Sequence, residues 1–75
     1  MHKHKIELIT TADIREFVKV AESIEGEVKL SDGKGFCVDG KSLLGVMTAV
    51  EWNSLYCVTE DDVYSQIQKY CVNEV

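Results

Sequence analysis

The side chains that could do chemistry fall in three places. The first is Gly40–Ala49, GKSLLGVMTA, which sets Ser42 at a helix start, beside Lys41 and ahead of Leu43, Leu44 and Met47. A serine there can accept a hydrogen bond from one of the amides that a helix N-terminus leaves free. Leu43, Leu44 and Met47, at i, i+1 and i+4, share one side of the turn that follows. Such a segment suits two jobs. It can be a cap over a core helix with the leucines inside, or a docking surface whose charge is changed by phosphorylation of Ser42. The second place is the terminal H-x-H of His2 and His4, the only imidazoles in the chain. That pattern alone does not make a metal site, so both are expected as solvated terminal residues and no metal is expected. The third is Cys37, Cys57 and Cys71, an odd number with no C-x-x-C pair. They argue against a disulfide framework and a zinc site and fit a reducing compartment. Their apolar neighbours predict small buried hydrophobes.

Nothing else in the chain has the spacing of a catalytic apparatus. There is no catalytic dyad and no paired carboxylate at helical spacing in a cleft, and Gly33 and Gly35 belong to a hairpin rather than to a phosphate loop. An enzyme is not expected, nor a cofactor. Seventy-five residues make one domain, 1–75, near the lower limit for an independent core. An apolar content of 45% and a charged content of 28% are those of a globular chain. The net charge of −5 disfavours non-specific nucleic-acid binding. No apolar run approaches a membrane span, and no apolar signal segment follows the basic MHKHK, so a cytoplasmic protein without nucleic-acid or membrane partners is expected.

The elements that must hold these residues can be taken in order. Lys3–Thr10 alternates, with Ile6 and Leu8 facing one way and Lys5, Glu7 and Ile9 the other, as in a strand with one buried face. Thr10 and Thr11 are N-cap candidates, and Asp13 adds negative charge where a helix start favours it. Ile14, Phe17, Val18 and Ala21 then form a helical stripe opposite Arg15, Glu16, Lys19 and Glu22, ending near Ser23–Gly26. Val28 and Leu30 alternate in a second strand over Glu27–Ser31, Asp32-Gly33 turns, and Gly35–Asp39 returns with Phe36 and Val38 on one face. After the Ser42 helix, Trp52 lies in a connection. Ser54–Thr59 is a strand, with Leu55 and Cys57 facing opposite to Tyr56 and Val58, and Tyr56 is expected on an open sheet face. Thr59 and Asp62 resemble the two ends of a capping box before a final helix with Val63, Ile67, Tyr70 and Cys71 as its stripe. Asn73–Val75 are expected to fray. The order βαββαβα implies an α+β fold, a four-stranded sheet with three helices on one face, in which the second and third strands are antiparallel because their turn is tight.

In that order, FVKVA (Phe17–Ala21) and KSLLGVM (Lys41–Met47) resemble the first helix and the second-helix segment of the HPr family, the small phosphocarriers of the bacterial sugar phosphotransferase system. The similarity runs from Ile6 to about Cys71. It implies an open-faced two-layer sandwich with a four-stranded antiparallel sheet. It also implies a second regulatory site: Ser42 matches the serine that a dedicated kinase phosphorylates, and Lys41, Leu43, Leu44 and Met47 match the surface where a regulator docks. Expected partners are therefore bacterial regulatory or phosphotransferase-system proteins, and an HPr serine kinase. The family's phosphorylated histidine is missing. Counting back from FVKVA puts Thr10 in its place, with Ala12 at the following arginine and Asp13 at the proline. A threonine ester would not transfer phosphate readily, and Asp13 would repel it. The chain thus resembles the histidine-less, catabolite-repression type of HPr-like protein. The alternatives are a phosphocarrier in the phosphoenolpyruvate-dependent relay and a structural domain with neither activity.

Overall fold

Period-two burial decides the sheet. The computed structural model describes residues 1–72. It contains strands β1 (His2–Lys5), β2 (Val28–Ser31), β3 (Cys37–Asp39) and β4 (Tyr56–Thr59). Between and after them come helices α1 (Thr11–Ser23), α2 (Leu43–Ala49) and α3 (Tyr64–Ile67), the last running into one 3-10 turn at Gln68–Tyr70. The strands form one antiparallel sheet in the order β1-β4-β2-β3. Val28, Leu30, Cys57 and Thr59 point to one face and are buried, whereas Lys3, Lys29 and Cys37 on the other face are exposed. An antiparallel sheet can leave one face wet in this way. On the wet face Lys3 Nζ lies 4.4 Å from the centre of the Tyr56 ring, which places Tyr56 where its alternation with Leu55 and Cys57 predicts.

The dry face is closed by one stripe from each helix. Phe17, Val18 and Ala21 come from α1, Val46 and Ala49 from α2, and Ile67 from α3, with Val63 and Tyr70 flanking. Phe17, Leu30, Ile67, Val28, Val46 and Cys57 are the largest wholly buried side chains. Each large apolar group enclosed in this way is worth about 1.5–3 kcal/mol. Edge-to-face packing of Phe17 on Tyr70, centroids 5.6 Å apart, joins α1 to the end of the chain. Gly40 enables the entry into α2. Its N–H donates to the Val28 carbonyl at 2.7 Å, and a Cβ there would come within 2.8 Å of Val28 Cγ1.

Several local expectations are corrected. The first strand is His2–Lys5, not Lys3–Thr10. Ile6 and Leu8 do face inward and are buried, but β4 begins at Tyr56, and past Lys5 that side of the sheet supplies one last bond, from Ile6 N–H to the Leu55 carbonyl at 2.9 Å. The backbone changes partner there: Glu7 N–H donates to the Tyr70 carbonyl at 2.8 Å, and Val72 N–H to the Lys5 carbonyl at 3.0 Å. The return strand starts at Cys37, because Gly35 takes φ +120° and Asp32 N–H closes the loop on the Phe36 carbonyl. Phe36 is consequently exposed. Cys37 is exposed too, contrary to its apolar surroundings in sequence, since β3 is an edge strand and Cys37 lies on the open face. Cys57 is buried as expected, and burial pushes its thiol up to about 12. Thr59 and Asp62 form no capping box. Burial of Val63 at the N-cap of α3 delays the helix to Tyr64, and Thr59 Oγ1 instead donates to the Asp61 carbonyl at 2.6 Å. The expected fraying of 73–75 lies outside the described residues.

Candidate functional site

The turn that ends β3 fixes Ser42. Asp39 Oδ1 accepts from Lys41 N–H at 2.8 Å, and the Asp39 carbonyl from Ser42 N–H at 3.2 Å. Ser42 then adopts the extended conformation of an N-cap, and its Oγ accepts from Gly45 N–H at 3.2 Å. Its carbonyl accepts from Val46 N–H at 2.9 Å and begins the helix. The cap expected of Ser42 is present.

The helix that follows turns its small apolar residues inward. Val46 and Ala49 are wholly buried, whereas Leu43 is 45% exposed, Met47 50% and Leu44 75%. The two leucines are therefore not core residues. With Met47 they make an apolar surface directly after the Ser42 hydroxyl. No acidic residue lies in the first turn of α2. Lys41 is less available than its neighbours: its Nζ donates to the Ile24 carbonyl at 2.7 Å in a part-buried contact, tying the start of α2 to the end of α1.

The start of α1 is built differently. Thr10 caps it, with Oγ1 accepting from Asp13 N–H at 3.1 Å. The Asp13 carboxylate reaches back and accepts from Ile9 N–H at 3.0 Å and Thr10 N–H at 3.1 Å, completing a capping box. Those two backbone donors hold the Asp13 carboxyl below the usual aspartate value. Arg15 is exposed on the outer side of the helix. Thr10 and Ser42 are not brought together. Thr10 follows the Lys5 end of β1, while the register His2–Thr59, Thr59–Val28 and Lys29–Asp39 puts the residues leading into Ser42 at the opposite end of the sheet.

His2 and His4 lie within β1 and face the helix side, opposite Thr59 and Cys57. Both are half-buried rather than freely solvated, and the His4 ring packs on Tyr64 at the start of α3, centroids 5.2 Å apart. Neither stands at the start of α1. Beside them is Asp62, a residue that sequence reasoning did not connect with them. Alternation places His2 and His4 on one face of a strand, but the approach of the turn after β4 leaves no local pattern. Elsewhere a groove of about 540 Å³ is lined by Ile6, Leu8, Ile9, Val50 and Trp52, with Lys5, Glu7 and Asn53 as polar groups. Among the described residues, no helix is long and apolar enough to cross a membrane. No protein-family model matches the chain, and neither a curated protein nor a solved structure does.

Proposed function

We propose that this chain is an HPr-like open-faced sandwich that acts as a regulatory or protein-interaction module, with Ser42 as its phosphorylation site. The observation that carries the reading is the exposure of Leu43, Leu44 and Met47 beside the Ser42 cap. Large apolar residues gathered on one side of a short helix, and not used by the core, are the composition of a contact surface. A phosphate on Ser42 would add negative charge next to that surface, at the favourable end of the helix. A partner with an apolar cleft and an arginine could read both features. The element order and the antiparallel four-stranded sheet support the family resemblance of KSLLGVM.

The module does not carry phosphate on imidazole. Thr10 stands where the family's histidine would be, and the Asp13 carboxylate occupies the amides of Ile9 and Thr10. Partners are bacterial regulatory or phosphotransferase-system proteins in the cytoplasm, including an HPr serine kinase. The test is incubation with ATP and such a kinase, read by mass spectrometry. One phosphate on Ser42, absent from Ser42→Ala, is the expected result. No incorporation overturns the role of Ser42, and an acid-labile phosphate formed from phosphoenolpyruvate and the first enzyme of the relay overturns the loss of the carrier role.

A further inference from the structure

We infer that His2, His4 and Asp62 form a binding site for a divalent transition-metal ion of the zinc type. The ligating atoms of the three side chains lie within 4.8 Å of one another. His2 and His4 are two residues apart on the inward face of β1, so the pleat aims both imidazoles the same way. Asp62 comes to them from the turn after β4, because β4 is the neighbour of β1 and its Thr59 pairs with His2.

Two further observations point to a ligand. His4 Nε2 is buried and has no hydrogen-bond partner. Buried imidazole nitrogens are ordinarily satisfied, and a bound cation satisfies one without any protein donor. Asp62 is also pre-set: its Oδ1 accepts from Tyr64 N–H at 3.0 Å, which orients the carboxylate and leaves the second oxygen for a metal. Supporting contacts of this kind are typical around metal ligands.

The donor set selects the ion. Two neutral imidazoles and one carboxylate suit zinc and its neighbours, whereas magnesium and calcium take oxygen ligands. Three protein ligands leave a fourth position for water or for a donor from another molecule, the arrangement of an open rather than a closed zinc site. Bonds of about 2.0–2.1 Å put tetrahedral ligand atoms about 3.3 Å apart, so the cluster contracts when it is filled. The ion then ties edge strand β1 to the turn entering α3. This site lies at the β1 edge of the sheet, away from the β3 edge that leads to Ser42, and does not depend on the role given to Ser42.

Calorimetric titration of the metal-free protein with Zn2+, with Co2+ absorption as a second probe, tests the site. One equivalent is expected to bind, with visible Co2+ bands that lack a thiolate contribution and with NMR shifts at the His2 and His4 rings. His2→Asn and Asp62→Asn should each weaken Zn2+ affinity at least about tenfold. Both side chains are outside the core, so these variants avoid the packing of His4 on Tyr64. Cys37→Ser should bind as the parent does. Absence of Zn2+ binding at millimolar metal overturns the site, as does unchanged affinity in His2→Asn and Asp62→Asn, or a loss confined to Cys37→Ser.

Discussion

Helices α1 and α2 pack on the same sheet and use their apolar residues in opposite ways. α1 buries its bulk: Phe17 and Val18 are inside, and Arg15, Glu16 and Lys19 are outside. α2 buries its smaller residues, Val46 and Ala49, and exposes Leu43, Leu44 and Met47. Their N-termini differ as well. Both are capped by a hydroxyl, but α1 adds the Asp13 carboxylate and α2 has no acid in its first turn. The difference teaches that hydrophobicity alone does not say which way a helix faces. Folding accounts for the composition of α1. It accounts for only half of α2, and the other half is what the proposed interaction uses.

The largest effect should separate the two helices by stability. Phe17→Ala removes a wholly buried ring and should cost about 3–5 kcal/mol, enough to leave so small a domain largely unfolded. Leu44→Gln and Met47→Gln replace exposed groups with a good helix former and should each stay within about 0.5 kcal/mol. Urea denaturation with a common slope measures all three. A loss above about 2 kcal/mol in Leu44→Gln would show that α2 packs its outer side as α1 packs its inner one.

Most of α1 could be read in advance because its stripe is clean: Ile14, Phe17, Val18 and Ala21 recur at helical spacing with charge between them. The Val28/Leu30 and Leu55/Cys57 alternations were legible for the same reason, and so was the cap at Ser42, which needs only the three residues after it. What could not be read depends on long-range geometry. The end of β1 is set by where β4 begins, not by the residues of β1. Cys37 has apolar neighbours in sequence but sits at a sheet edge. In α2 nearly every residue is apolar or small, so its sequence holds no polar face to mark the outside. The meeting of His2 and His4 with Asp62 joins opposite ends of the chain.

A middle-sized effect separates the caps. Thr10→Ala and Ser42→Ala should each lose about 1 kcal/mol, because each leaves a helix amide without its acceptor. Ser42→Asp should keep the parent's melting temperature, since aspartate caps as well as serine and its charge suits a helix start. It would also supply part of the charge of a phosphoserine beside Leu43 and Leu44. If Ser42→Asp melts as low as Ser42→Ala, the start of α2 does not tolerate an anion and the proposed modification loses its physical basis.

The smallest effect is the most selective, because it uses pH to tell the two helix starts apart. Asp13 in the folded chain has its carboxyl held below the ordinary 3.8, chiefly by the Ile9 and then the Thr10 amide. A carboxyl depressed on folding contributes stability that is fully present above its unfolded value and is lost as pH falls through the folded one. Asp13→Asn should therefore melt below the parent at neutral pH, and the gap should begin to shrink near 3.8 and close only below it, as the pH passes through the lowered folded value and protonated aspartate and asparagine become alike. The gap between parent and Ser42→Ala should stay constant over the same range, since no acid lies in the first turn of α2. Thermal melts by circular dichroism at matched ionic strength give both gaps. A pH-independent Asp13→Asn gap would mean that the carboxylate charge is not what closes the start of α1, and that α1 and α2 differ there by the two hydrogen bonds from Ile9 and Thr10 rather than by electrostatics.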